Sequence, residues 1–190
     1  MPRRKVVFLP GHYYHLYNRG NNRQNIFFDR KNYLFFLRQF RHHVAAEAAS
    51  VIAYCLMPNH YHFLVYLRED SLSEKMGHLS LSYTKAIDKR CQRSGGLFQG
   101  PFQAIHVDAE AYLLNLSRYI HLNPVKAGLV QRPEDWEFSS YPEYVERRRG
   151  TLPQYQGLQQ QAGGAAAYQA FVESESVLMP AAIQGLMLDE

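Results

Sequence analysis

Two apolar segments joined by a proline-asparagine pair constrain the fold of this chain more than any other feature of its sequence. Residues 51–57 (VIAYCLM) and 60–67 (HYHFLVYL) are rich in β-branched and aromatic side chains, and each has the length of a strand. Between them stand only Pro58 and Asn59, which are typical of turns. Because a connection this short permits only antiparallel pairing, we expect a β-hairpin here.

Further strands and helices are predicted on both sides of this hairpin. Apolar spacing and turn residues predict strands over 12–19 and 102–107 and helices over about 29–49, 71–93 and 108–123. Asp29 is an expected N-cap, and Ser71 with Glu74 forms a capping-box pattern. Pro124 is expected to end the last helix near Asn123, because the residue before a proline disfavours helical geometry.

This order of elements is typical of one fold class. Strand, helix, strand, strand, helix, strand and helix follow one another as in a ferredoxin-like split β-α-β sandwich. The sequence therefore predicts an α+β fold with a four-stranded antiparallel sheet, helices on one face and an active site on the other.

The charge is unevenly distributed along the 190 residues. Residues 1–45 carry a net charge of +8, residues 46–150 are neutral, and residues 151–190 carry −4. A basic first quarter favours a polyanionic partner such as nucleic acid. We expect one domain over 1–150, followed by a low-complexity tail over 151–190 that is flexible over 151–165, with a short helix at 166–177.

Composition excludes several classes of protein. No apolar run approaches the roughly 18 residues that a membrane span needs, and the N-terminus lacks the features of a signal peptide. Two cysteines cannot build a disulfide framework or a four-thiolate zinc site. We therefore expect a cytoplasmic protein. The sequence contains no P-loop, GxGxxG or GxSxG pattern, which argues against the corresponding nucleotide-binding and hydrolase classes.

His60 and His62 are candidate metal ligands. They lie two residues apart on a predicted strand, so their imidazoles point to the same face and can converge on one divalent ion. By itself, a His-x-His pair is also compatible with two half-exposed histidines without a ligand.

Tyr119 and Asn123 are a second candidate pair. They lie four residues apart near the end of a predicted helix and therefore share one face, whereas His121 points elsewhere. Tyr119 is a candidate nucleophile, and the amide oxygen of Asn123 is a candidate third metal ligand. The alternative is that Tyr119 belongs to an apolar core stripe with Tyr112 and Leu116.

A cluster of basic, aromatic and amide side chains in the first 41 residues is a candidate DNA-binding surface. Cations contact phosphates, and aromatic rings stack on unpaired bases. The members are Tyr17, Asn18, Arg19, Asn21, Asn22, Arg23, Arg38 and Arg41. For Arg38 and Arg41, a solvated helix face without a ligand remains the alternative.

Four motifs in fixed order resemble one known family. GHYYHLYNRGNNRQNIFF, AYCLMPNHYHFLV, LFQGPFQAIHVD and LSRYIHLNPVKAGLV, within residues 8–145, resemble the REP-associated tyrosine transposases, the single-tyrosine branch of the HUH endonucleases. The resemblance implies that His60 and His62 bind Mg²⁺ or Mn²⁺, with Asn123 completing the site, and that Tyr119 is the nucleophile. Tyr61 departs from the family, which often has an aliphatic residue there, but its side chain should face away from the metal.

The resemblance also implies a reaction and a substrate. Tyr119 would cleave single-stranded DNA beside a hairpin of the REP palindromic type, leaving a 5′-phosphotyrosine link and a free 3′-OH that allows rejoining. Two alternatives stay open: a DNA-hairpin-binding factor without catalysis, and an RNA-binding protein. The sequence does not decide between a monomer and a homodimer.

Overall fold

The computed structural model describes residues 6–108 and 111–174. Its strands are β1 Tyr13–Arg19, β2 Ala49–Met57, β3 His60–Leu67 and β4 Gln103–Val107. Its longer helices are α1 Arg30–Phe40, α2 Leu72–Cys91 and α3 Ala111–Lys126, and its shorter ones are α4 Tyr141–Tyr144, α5 Gln156–Gln161 and α6 Ala165–Glu173. A π-helical turn, Arg41–Ala45, extends α1. In the described part of the chain, no helix combines the length and apolarity needed to cross a membrane.

The four strands form one antiparallel sheet in the order β2-β3-β1-β4. Pro58 and Asn59 form the turn between β2 and β3, as predicted. The first strand pairs with β3 so that Tyr17 stands opposite His62 and Arg19 opposite His60. The order of elements and of strands confirms the ferredoxin-like α+β fold.

Side chains of β3 alternate between two cores. Tyr61 and Phe63 face α1 and α2, where the Phe63 ring stacks on the Phe40 ring at 3.8 Å between centroids. His62 and Leu64 face the opposite side, where α3 packs across the sheet. This second face was expected to be free of helices. Instead α3 covers it, and the candidate site lies between α3 and the sheet.

Pro124 does not end α3, contrary to expectation. The helix continues to Lys126, with Pro124 inside its last turn. Proline lacks the N–H that would bond to the carbonyl four residues before it. The turn around Pro124 is nevertheless held, because the backbone N–H groups of Ala127 and Leu129 bond to the carbonyls of Asn123 and Pro124 at 2.9 Å. The helix therefore retains one further turn beyond the predicted end.

Only one of the two predicted caps forms. Asp29 caps α1, because its Oδ1 accepts a hydrogen bond from the backbone N–H of Asn32 at 3.0 Å. Ser71 stands at the N-cap position of α2, but its side chain makes no capping hydrogen bond. The neighbouring Glu74 forms an ion pair with Lys75, so the predicted capping box was wrong.

Residues 151–174 pack against the domain, so the prediction of a flexible segment over 151–165 was wrong. Pro153 forms a bridge to Val51 on β2, and α5 occupies much of the segment. The predicted helix is present as α6, and its positions 175–177 lie outside the described residues. Tyr168 and Val172, four residues apart, are fully buried. This single apolar stripe anchors a segment whose overall composition resembles a linker.

Candidate active site

The two candidate metal ligands lie side by side at the start of β3. The ring centroids of His60 and His62 are 5.0 Å apart, which confirms that both point to one face. Each Nδ1 atom already has a partner: that of His60 contacts Asn59 Oδ1 at 2.6 Å, and that of His62 contacts His15 Nε2 at 2.9 Å. Partners of this kind orient the ring and leave the Nε2 atoms for a ligand.

Both imidazoles are held in the neutral form. Burial lowers the pKa of His60 to about 4, a hydrogen bond with Asn123 partly opposes this, and the charge of Arg19 lowers the pKa further. Burial lowers the pKa of His62 well below its ordinary value, with smaller contributions from His60 and His15. Neutral imidazole is the form that binds metal ions.

The third helix brings Tyr119 and Asn123 to these histidines. The Tyr119 ring meets the His62 ring edge-on, with 5.5 Å between centroids. Asn123 Nδ2 donates to the backbone carbonyl of Tyr119 at 2.8 Å, and the same side chain is close enough to His60 to raise the pKa of that imidazole. Tyr119 is only 2% exposed. It is therefore a packed core tyrosine, which was the alternative interpretation, and it is also a neighbour of the two histidines.

A cavity of about 340 Å³ opens beside these side chains. Its lining includes most of the predicted catalytic and metal-binding residues and part of the predicted DNA-binding set. The lining residues are Arg19, Arg23, Asn25, Met57, Pro58, Asn59, His60, Tyr119, Asn123, Ala127 and Leu129.

The donor atoms present fit a divalent cation. His62 Nε2 is buried and has no hydrogen-bond partner among the described residues, a costly arrangement unless a ligand binds there. Residues 6–108 and 111–174 contain no group of three His, Cys, Asp or Glu side chains that could hold a metal. The set is therefore two imidazoles and the Asn123 carboxamide, a mixed nitrogen and oxygen environment compatible with Mn²⁺ or Mg²⁺ that leaves positions open for substrate.

The end of β1 and the turn after it supply two cations that line the cavity. Arg19 and Arg23 line it, and Asn21 and Asn22 are exposed beside them. Tyr17, opposite His62, is half-buried, with its ring 6.3 Å from that of His62.

Asn18 differs from its neighbours because it points into the protein. It is 4% exposed, and its Nδ2 donates to the Gly100 carbonyl at 3.0 Å while its Oδ1 accepts from the Arg19 backbone N–H. Asn18 is therefore not part of the exposed candidate DNA-binding surface, contrary to expectation.

Arg38 and Arg41 are not brought to the cavity. They belong to α1 and the π-helical turn that follows it, which pack on the opposite face of the sheet from Tyr119. Both line a separate depression that also includes Tyr54 and Arg148. Any DNA contact that they make would be remote from the candidate nucleophile.

Three site residues were missed by the sequence reasoning. His15 and Asn59 contact the candidate metal ligands, and the Nζ of Lys126 lies 5.2 Å from the centroid of the Tyr119 ring. Lys126 was detectable in principle, because residues seven apart share a helix face. His15 was not, because its position depends on how β1 pairs with β3.

A buried chain of hydrogen bonds fixes α3 over the sheet. Tyr168 of α6 donates to Ser117 Oγ at 2.8 Å, so its oxygen accepts from His121 Nδ1 at 2.8 Å. His121 Nε2 then accepts from Ser140 Oγ at 2.8 Å, and Ser140 accepts from the Tyr54 backbone N–H of β2. Tyr119 lies between Ser117 and His121, so this chain holds the candidate nucleophile.

Arg118 forms a second link between α3 and α6. Its Nε donates to the carbonyls of Phe171 and Val172 at 3.1 Å, and its terminal nitrogen donates to the carbonyl of Ser174. The guanidinium thus satisfies carbonyl groups at the C-terminal end of α6, which have no partner within the helix.

Comparisons with known proteins give relatives of this chain and of its fold. The chain is 31% identical over 103 residues to a REP-associated tyrosine transposase of Haemophilus influenzae, a match that covers 48% of this chain and 58% of that protein. It thus spans less than two thirds of this relative. The solved structure of a REP-associated tyrosine transposase bound to a REP hairpin has the same fold, with a TM-score of 0.65 at 19% identity over 82% of this chain and 95% of that one.

The family assignment rests on the match to a family model. A family model described as IS200-like transposase matches residues 9–123, which is more than half of the chain and includes all four motifs up to Asn123. The chain therefore belongs to the IS200-like transposase family.

Proposed function

We propose that this protein is a REP-associated tyrosine transposase that cleaves and rejoins single-stranded DNA beside a hairpin, with Tyr119 as its nucleophile. The observation that carries the proposal is the packing of the Tyr119 ring against His62, 5.5 Å between centroids, beside a cavity with two arginines. The Haemophilus relative and the hairpin-bound structure support the choice of substrate. We place the activity in the cytoplasm.

The proposed reaction exchanges one phosphate ester for another. Arg19 and Arg23 hold the DNA backbone and bring the scissile phosphate into the cavity. The Tyr119 oxygen loses its proton and bonds to phosphorus, the bond from phosphorus to the 3′ oxygen breaks, and that oxygen gains a proton. The products are a 5′-phosphotyrosine and a free 3′-OH, and the retained ester allows rejoining without ATP.

His60, His62 and Asn123 would hold the divalent metal, Mg²⁺ or Mn²⁺. When bound there, it would polarise the scissile phosphate and offset charge on its oxygens. Lys126 acts on Tyr119, the attacking group. Its ammonium lies beside the Tyr119 ring and stabilises negative charge as the phenol loses its proton.

We also propose that the active site works within one chain. All of its candidate residues, from Tyr119 to His62, are close together in a single copy. The Ser117 to Tyr168 hydrogen bond and the Arg118 contacts tie α3 to the rest of the same chain. A monomer would therefore suffice for cleavage.

The test is covalent capture of labelled DNA hairpins with single-stranded flanks on a denaturing gel, with and without Mn²⁺ or Mg²⁺. We expect a metal-dependent adduct that disappears in Tyr119→Phe and persists in Tyr112→Phe, a matched change on the same helix. An adduct that survives in Tyr119→Phe would contradict the assignment of the nucleophile. Tight binding without any adduct would favour the hairpin-binding factor.

Mixing two inactive proteins tests whether the site lies in one chain. Tyr119→Phe and His62→Ala proteins each lack one half of the site. If cleavage occurs within one chain, their mixture forms no adduct. Recovery of adduct in the mixture would show that the site is shared between two copies.

The RNA-binding alternative has less support. Ferredoxin-like sheets that bind RNA stack its bases on aromatic side chains of an exposed face. Here one face packs on α1 and α2, and the other is covered by α3. Binding of matched DNA and RNA hairpins distinguishes these possibilities, since we expect a clear preference for DNA.

A further inference from the structure

Asn59, in the turn between β2 and β3, contacts both halves of the candidate site. Its Nδ2 donates to the backbone carbonyl of Arg23 at 3.3 Å, and its Oδ1 lies 2.6 Å from His60 Nδ1. Its own backbone carbonyl accepts from the Gly20 N–H at 2.8 Å. One residue therefore touches both the turn that carries Arg23 and a candidate metal ligand.

The contacts of Asn59 favour one nitrogen of His60 over the other as the site of its proton. A backbone carbonyl can only accept, so the amide nitrogen of Asn59 must face Arg23 and the amide oxygen must face His60. Since that oxygen also can only accept, His60 Nδ1 must donate. A neutral imidazole with its proton on Nδ1 has its lone pair on Nε2, which is the state needed to bind a metal.

The turn on the other side of Asn59 has an unfavourable backbone. Asn22 and Arg23 are consecutive residues with φ of 51° and 58°, a left-handed conformation that is uncommon for residues other than glycine. Backbone of this kind persists only where surrounding contacts hold it. The bond from Asn59 Nδ2 to the Arg23 carbonyl is one of those contacts.

We infer that Asn59 is a positioning residue that couples the two sides of the site: it presents His60 to the metal and holds the turn that brings Arg23 to the DNA. The inference rests on the proposed function, because it takes His60 as a ligand and this turn as a DNA contact. Removing the side chain should weaken both interactions together.

The first experiment measures the His60 ring directly. Two-dimensional ¹H–¹⁵N spectra of the imidazole nitrogens, recorded on the full chain without metal or DNA, report which nitrogen is protonated. We expect the proton on Nδ1 in the wild type and a loss of that preference in Asn59→Ala. A wild-type His60 protonated on Nε2 would overturn the inference whatever the protein does to DNA.

The second experiment measures binding of Mn²⁺ alone by calorimetry. Loss of a side chain that orients a metal ligand typically costs about 10- to 100-fold in metal affinity, and we expect this in Asn59→Ala. Asn25→Ala is the matched control, because Asn25 is exposed, lines the same cavity and makes no described hydrogen bond. Equal Mn²⁺ affinities for the two variants would overturn the inference.

A third variant removes one of the two side-chain contacts of Asn59 and keeps the other. Asn59→Asp keeps an acceptor for His60 but loses the donor to the Arg23 carbonyl. We expect it to retain the wild-type ring state while metal-free hairpin binding falls. Unchanged hairpin affinity in both Asn59 variants would refute the coupling to the turn. If the ring state, Mn²⁺ affinity and hairpin binding behave as expected but no covalent adduct forms, the proposed cleavage is refuted and the positioning role of Asn59 still holds.

Discussion

Removal of one hydroxyl, in Tyr168→Phe, should destabilise the protein by an amount that the hydrogen-bond chain predicts. The Tyr168 oxygen is the only described acceptor of the His121 Nδ1 proton, and both side chains are fully buried. Ser117 is less affected, because its hydroxyl still donates to the Leu114 carbonyl at 2.8 Å. One buried donor is therefore left without a partner.

The expected cost is about 1–3 kcal/mol, the usual penalty for one unsatisfied buried group. The phenylalanine ring retains the packing of Tyr168 in the apolar cluster, so no large cavity adds to this value. Urea unfolding followed by circular dichroism measures it. In a chain of this size, each kcal/mol corresponds to a fall in Tm of about 2–4 °C.

Two controls test whether the cost comes from the lost hydrogen bond between Tyr168 and His121. Tyr66→Phe changes a half-buried tyrosine of β3 that makes no hydrogen bond to another described residue, and we expect a cost below about 0.5 kcal/mol. In a His121→Gln background, the cost of Tyr168→Phe should differ by about 0.5–3 kcal/mol, because contacting residues couple. Equal costs for Tyr168→Phe and Tyr66→Phe would refute the directional chain.

Lys126→Met should slow single-turnover adduct formation about two- to five-fold, as expected for loss of an exposed cation worth about 0.5–1 kcal/mol beside the Tyr119 ring. Gly20→Ala should weaken hairpin binding, because its Cβ would lie 2.0 Å from a backbone oxygen, whereas Gly77→Ala, which meets open space, should not. Burial lowers the pKa of His121 to about 3, so below about pH 6.5 the unfolded chain binds a proton that the folded chain does not. The contribution of His121 to stability should therefore fall by about 2 kcal/mol from pH 7 to pH 5, and His121→Gln should remove that part in urea titrations.

Much of the fold was predictable because the local pattern and the final structure agree. Residues 60–67 alternate between two faces, and in the structure both faces are buried, with His60 and His62 on the one that α3 covers. Tyr119 and Asn123, four residues apart, also lie on one helix as predicted, because both belong to α3. Local periodicity determines which side chains share a face of one element.

The wrong predictions concern segments in which contacts with distant parts of the chain outweigh a local sequence preference. Pro124 stayed inside α3 because the turn around it keeps its other hydrogen bonds. Residues 151–165 fold because Tyr168 and Val172 beyond them find buried partners on α3 and α4. A low-complexity composition does not reveal such anchors.

The sequence by itself determined the order of elements, the family motifs and the shared faces, because these depend on neighbours within one strand or helix. Only the tertiary structure decided that His15 supports His62, that Asn59 joins His60 to Arg23, and that Arg38 lies away from the cavity. Each of these contacts depends on strand register or helix packing between distant segments. No spacing along the chain specifies such contacts, because they form only when separate elements pack together.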